Sequence, residues 1–297
     1  MNTERLAPRR SDAARLPLDS AVSERVLSRV GVSAPYVDLH DLRFERSTLL
    51  TSTVASFTPT AERGPVRAAE LCRHAGVAGL CASAWQQRND ERHYYLLEQL
   101  RYQSTPYVSA VSDLPYGSSV DLSAQASVAG SQARAVVSAG VGRVALATLE
   151  FIYNIYSVAA FERAFASRRR PAPFFVKPVW AVPRAPVVRE GFSYTRKMAV
   201  HPASCQGHFE RYPCLPFALV MADLTELGGS SLRGAYCCTT FDLRVSDLCW
   251  ANDRIKLSVT PAGTQVAGRT RGTVSFSAQV QRGRERPVVA SFDLRPV

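Results

Sequence analysis

The sequence predicts an α+β protein built of two similar halves. Three observations carry that reading. Short runs rich in Val, Leu, Thr and aromatic residues recur along the chain with turns between them, the pattern of antiparallel strands. Two segments, Pro65 to Trp85 and Pro216 to Leu227, are instead continuous and apolar or small on every side, as buried helices are. Stretches of the second half also echo stretches of the first. Ser118 to Ser123 parallels Asp253 to Ser258, and Arg143 to Glu150 parallels Arg286 to Asp293.

Taken in order, residues 1–35 are rich in Arg, Ala and Ser and read as a flexible lead or a short helix around Ala21 to Val30. The first domain spans 36–165. It opens with strand-like sequence ending in Leu49 to Phe57. The helix from Pro65 follows, with proline where a first helical turn tolerates it. Short strands are expected at 93–97, 100–102, 119–125, 135–139 and 144–151. Residues 166–190 hold Arg168-Arg169-Arg170 and five prolines from Pro171 to Pro186, a stiff connector. The second domain, 191–297, has strand sequence at 196–200, the helix from Pro216, and strands at 234–243, 253–259, 273–280 and 288–294. Gly228-Gly229 ends its helix.

Composition narrows the class. At 297 residues and 46% hydrophobic the chain can bury a sizeable core. No apolar run reaches the roughly 18–20 residues of a membrane span. Met1 to Leu16 lacks the apolar region of a secretory signal. The seven cysteines have no metal-ligand spacing, which fits reduced, buried thiols in a cytoplasmic protein. The net charge of +11 attracts acidic partners. Nucleic acid is not expected among them, because the arginines are scattered and no zinc-finger, basic-zipper or RNA-binding aromatic motif is present.

The most informative stretch is Gly207-His208-Phe209-Glu210-Arg211-Tyr212-Pro213-Cys214-Leu215-Pro216-Phe217, running into Ala218-Leu219-Val220-Met221-Ala222. It resembles the signature of the 3-hydroxyacyl-carrier-protein dehydratases of the hot-dog superfamily, where Gly-His-Phe and two prolines lead into a central helix. The resemblance implies a tandem hot-dog: two curved antiparallel sheets, each wrapping one long helix, paired within one chain as a pseudo-dimer. Such pairing would also remove two exposed sheet edges. The first half, with Ala69-Glu70-Leu71-Cys72-Arg73-His74-Ala75 and His93 to Tyr102, is similar to the A-factor synthase hot-dog family.

In the dehydratases the motif histidine of one subunit works with an acid from the other, fourteen positions beyond that subunit's own histidine. Here fourteen positions beyond His208 stands Ala222, and the neighbouring Asp223 would point about 100° away around the helix. Fourteen positions before Glu70 stands Ser56, followed by Phe57. The two halves have complementary losses, so the resemblance implies one composite site of His208 and Glu70. His208, at its ordinary pKa of about 6.5, would take a proton from C2 of a 3-hydroxyacyl thioester. Glu70, its pKa raised by burial, would protonate the departing hydroxyl. Backbone N–H groups at the start of the second helix would polarise the carbonyl. Phe209, Pro216, Phe217 and His74 are the expected substrate contacts, with His74 one turn after Glu70 placed to orient it. Phe217 replaces the family's glycine and adds bulk beside the acyl chain.

Other readings stay open. The same residues would serve an A-factor-synthase-like acyl transferase, a thioesterase, or a non-catalytic carrier-protein-binding scaffold if Phe217 fills the tunnel. The expected partner is an acyl carrier protein or coenzyme A thioester in fatty-acid or polyketide-type biosynthesis. No cofactor or metal is expected, the phosphopantetheine arm arriving with the substrate. His40, His93 and His201 read as structural.

Overall fold

The computed structural model describes residues 20–54, 61–87, 89–106, 118–170, 185–209, 211–232, 234–262 and 272–297, with no account of the side chains of 20–23. Ser56 and Phe57, most of the proline-rich connector and Glu210 lie outside them. The strands are β1 (His40–Glu45), β2 (Thr48–Val54), β3 (His93–Ser104), β4 (Ser119–Ala129), β5 (Gln132–Val141), β6 (Val144–Ser157), β7 (Val188–Glu190), β8 (Ser193–Ala199), β9 (Tyr236–Val245), β10 (Arg254–Pro261), β11 (Val274–Arg282) and β12 (Glu285–Pro296). The helices are α1 (Ser20–Ser28), α2 (Ala68–Gln86), α3 (Val158–Ala164) and α4 (Phe217–Gly229).

All twelve strands form one antiparallel sheet in the order β1-β2-β4-β5-β6-β3-β9-β12-β11-β10-β8-β7. Read outward from the β3–β9 junction, both halves run in the same sequence. β6 matches β12, β5 matches β11, β4 matches β10, β2 matches β8 and β1 matches β7. The two echoed stretches of sequence therefore fall on matching strands, β4 with β10 and β6 with β12. The junction is direct: Gln99, Leu100, Arg101, Tyr102 and Gln103 of β3 pair with Arg244, Leu243, Asp242, Phe241 and Thr240 of β9.

Each half lays one long helix on its sheet. In β5 the alternate residues Ala133, Ala135, Val137 and Ala139 are buried, and their small side chains admit α2 closely. Sixteen of the nineteen α2 residues are buried, which is why the segment carries no polar stripe. A Cβ on Gly79 would lie 3.1 Å from the Ala135 Cβ. The helix starts at Ala68 rather than at Pro65: Arg67 is extended, and Glu62 Oε1 accepts the Ala68 N–H at 2.9 Å. In the second half Arg196 of β8, 2% exposed, donates to Asp223 at 2.5 Å and to Glu226 at 2.9 Å, tying α4 to its sheet.

Several expectations are corrected. Residues 20–35 are no loose lead: Val26, Val30 and Val32 are buried in the core, and the buried Arg29 donates to the Gln87 and Asn89 carbonyls. Residues 93–97 and 100–102 form one strand, its register shifted by a bulge between Leu97 and Gln99. The connector region contains β7 and a 3-10 turn at Ala166–Arg168. Helix α3, not anticipated, is capped by the Ser157 hydroxyl, which accepts the Ala160 N–H.

Candidate active site

Gly207 and Phe209 both have positive φ, 75° and 55°, so the backbone turns sharply on either side of His208. Glycine is needed at 207, because a Cβ there would sit 2.5 Å from the Ser33 carbonyl oxygen. Residues 31–36, from the supposed lead, hold the turn. The Ser33 N–H donates to the Gly207 carbonyl at 2.8 Å, and the Phe209 N–H to the Gly31 carbonyl at 3.2 Å. Val32 forms an isolated antiparallel bridge with His208.

The His208 ring stacks on Phe209 (centroids 4.3 Å apart) and tilts against Tyr36 at 5.1 Å. Its Nδ1 lies 3.2 Å from the Cys214 carbonyl oxygen and 3.3 Å from the Cys214 Sγ. A carbonyl only accepts, so this contact assigns the proton to Nδ1 and leaves Nε2 with the lone pair. Among the described residues nothing hydrogen-bonds to Nε2. Burial lowers the His208 pKa from its ordinary value to about 4, the Cys214 carbonyl offsetting part of the effect. The ring is neutral at pH 7, not near its midpoint as expected from the sequence.

His208 lines a cavity of about 30 Å³ between the halves, with Tyr36, Gly76, Tyr95, Phe209 and Phe217 among its other walls. The Tyr36 hydroxyl is buried and has no hydrogen-bond partner among the described residues. Burial pushes its pKa up, so it keeps its proton. Nothing in the sequence marked Tyr36, which lies at the edge of the presumed lead. The seven cysteines are free and buried, and burial raises the Cys214 thiol pKa well above its usual value. Among the described residues no group of three His, Cys, Asp or Glu side chains is placed to hold a metal ion. No helix of the described residues is long and apolar enough to cross a membrane.

Among the described residues no hydrogen bond or ion pair links Glu70 directly to His208. The buried Glu70 lies instead with its Oε1 3.8 Å from His74 Nε2. His74 is itself fixed elsewhere. Arg73 donates to its Nε2 at 3.0 Å, and its Nδ1 lies 3.0 Å from the Thr53 hydroxyl, which donates to the Asp38 carbonyl. Nε2 is therefore an acceptor and the ring neutral, in keeping with a pKa lowered chiefly by burial. The Glu70–His74 contact is then not an ion pair, and Glu70 and His74 are absent from the walls of the His208 cavity. Of the expected substrate contacts, Phe209 and Phe217 line that cavity. Pro216 is the N-cap of α4, and no side chain caps that helix. His201 caps the turn at Pro202–Cys205, accepting the Ala203 N–H at 3.1 Å. Asp223 is held by Arg196.

No family model matches the sequence, and no curated protein matches it either. Solved structures do match the fold. One is a candidate oleoyl thioesterase from Lactobacillus plantarum, 12% identical, TM-score 0.56, covering 84% of this chain and 96% of that one. Another is the 12:0-ACP thioesterase from Umbellularia californica, 9% identical, TM-score 0.56, covering 84% and 95%. A third is a hot-dog-fold protein of unknown function from Alicyclobacillus acidocaldarius, 11% identical, TM-score 0.50, covering 90% and 100%. The dehydratase reading is overturned, and nothing supports the hydro-lyase class or the polyketide setting. The structures aligned over most of this length include thioesterases. At these identities the likeness concerns architecture, and it establishes that the chain adopts the hot-dog fold.

Proposed function

We propose that the chain hydrolyses an acyl thioester, carried by an acyl carrier protein or by coenzyme A, within a tandem of two hot-dog units at 36–165 and 191–297. The observation that carries the reading is a neutral His208, its Nε2 without a hydrogen bond among the described residues, in the wall of an apolar cavity that Tyr36, with its unpartnered hydroxyl, also lines. Thioesterases among the fold's neighbours support the substrate class. The basic charge of the chain suits an acidic carrier.

In this reading His208 Nε2 accepts a proton from a water molecule as the water oxygen attacks the thioester carbonyl carbon. Tyr36 donates a hydrogen bond to the oxyanion that forms. The tetrahedral centre collapses, the carbon–sulfur bond breaks, and the sulfur leaves with the proton held on His208. The products are a carboxylic acid and a thiol. The Cys214 carbonyl keeps the ring in the tautomer this requires and stabilises the imidazolium as it forms.

The test offers straight-chain acyl thioesters, short to long, on carrier protein and on coenzyme A, and follows free acid by mass spectrometry. Release of acid that is lost in His208→Ala supports hydrolysis. Turnover that is unaffected by that change, or absent with every thioester, overturns it.

A further inference from the structure

The His208 cavity has a neighbour. A second cavity of about 40 Å³ runs into the second half, walled by Val220 of α4, Leu243 and Val245 of β9 and Val288 of β12. The two cavities share three wall residues, Leu97, Phe217 and Leu248. Each alone has room for about one water molecule, far below the roughly 300–1,000 Å³ of ordinary ligand pockets. Together, with the shared wall removed, they would form one apolar channel leading from His208 under β9 and β12.

Phe217 is the largest part of that wall. It opens α4, and its ring lies edge-on to Phe151 at 6.2 Å and against Gly76, where a Cβ would fall 2.9 Å from the ring tip. The bare backbone at Gly76 is thus the seat that lets the ring lie between the two central helices. The walls beyond Phe217 are mostly aliphatic, with Asp247 and Cys249 the exceptions, and suit a straight hydrocarbon chain.

We propose that Phe217, backed by Leu248, is the partition that limits the length of acyl chain the site accepts. Phe217 then bars long straight chains from the native protein, and the second cavity is the unused continuation of its acyl pocket. This rests on the acyl-thioester reading for its substrate class, but chain binding can be measured without turnover.

The experiment compares the native protein with Phe217→Ala, Phe217→Leu and Leu248→Ala, each checked for native circular dichroism and thermal unfolding. Hexanoate and dodecanoate are titrated calorimetrically, and hydrolysis of the matching thioesters is followed in parallel. Opening the wall should tighten dodecanoate binding by about tenfold or more, several added methylenes each contributing, while hexanoate changes little. Leu248→Ala and Phe217→Leu carry the test if Phe217→Ala does not fold. Dodecanoate binding equally to all four proteins, or to none, overturns the partition. Tighter dodecanoate binding without hydrolysis in any protein supports the partition and removes the thioesterase reading. Hydrolysis with an unchanged chain-length profile does the reverse.

Discussion

The imidazole Nδ1 of His208 lies 3.2 Å from the carbonyl oxygen of Cys214, six residues on in the same loop. That contact needs no side chain other than the histidine itself. It makes the tautomer a property of the backbone course through Pro213, so the ring presents Nε2 whatever side chain stands at 214. Cys214→Ala is therefore expected to keep activity within a few-fold, while His208→Ala lowers kcat by about 100- to 10,000-fold. Steady-state kinetics on an acyl thioester separates the two.

The acid behaviour follows from the same burial. A base must be unprotonated, so the rate should stay level from neutral pH downward and fall only as pH drops through about 4. Stability responds over a wider window. The unfolded histidine, at about 6.5, binds a proton before the folded one does, so folding weakens as pH falls from about 6.5 towards 4. At about 1.4 kcal/mol per unit the loss reaches roughly 3 kcal/mol. Denaturant unfolding across pH should show this slope, and His208→Gln should flatten it.

Tyr36→Phe separates catalysis from stability. The hydroxyl is buried without a partner among the described residues, so its removal should leave unfolding midpoints unchanged or slightly higher. If it donates to the oxyanion, kcat should fall by about 100-fold at the same time. A variant that is as active as the native protein would remove Tyr36 from the mechanism.

Gly207→Ala should damage the site through the backbone. The residue has φ of 75°, and a Cβ would approach the Ser33 carbonyl and, at 2.8 Å, the Tyr36 nitrogen. A cost of about 2 kcal/mol or more in urea unfolding is expected, with activity reduced because the 31–36 segment is displaced.

Arg196→Met leaves Asp223 buried without its guanidinium. Truncating one member of such a pair typically costs about 3–5 kcal/mol, which guanidinium unfolding would read directly. Replacing Asp223 by Asn, which keeps the shape and an acceptor, should cost less.

Much of the architecture was legible. The helices α2 and α4 announce themselves by having no polar face. The parallels of 118–123 with 253–258 and of 143–150 with 286–293 mark equivalent strands. Local features were visible too: the chain turns at Gly207-His208-Phe209, and the one-turn spacing brings Glu70 to 3.8 Å from His74. What sequence spacing cannot encode is the distance between elements of different halves. Fourteen residues from a turn to a helix position fixes a place on that helix, but whether Glu70 faces His208 depends on how the helices sit across the junction. There Arg73 and Thr53 settle the surroundings of His74. Tyr36 was invisible for a similar reason. It meets His208 only because residues 31–36 fold back along the Gly207 turn, a contact between segments far apart in the chain.

The seam between β3 and β9 joins two parts of one polypeptide. Two separate subunits meeting at such a seam would come apart on dilution and would carry every mutation twice. Here association of the halves is built into the chain, so this seam adds no dependence of the melting temperature on protein concentration. A single codon change also alters one half alone. The covalent link thus permits asymmetry: one half can present a histidine while its counterpart helix is kept for packing.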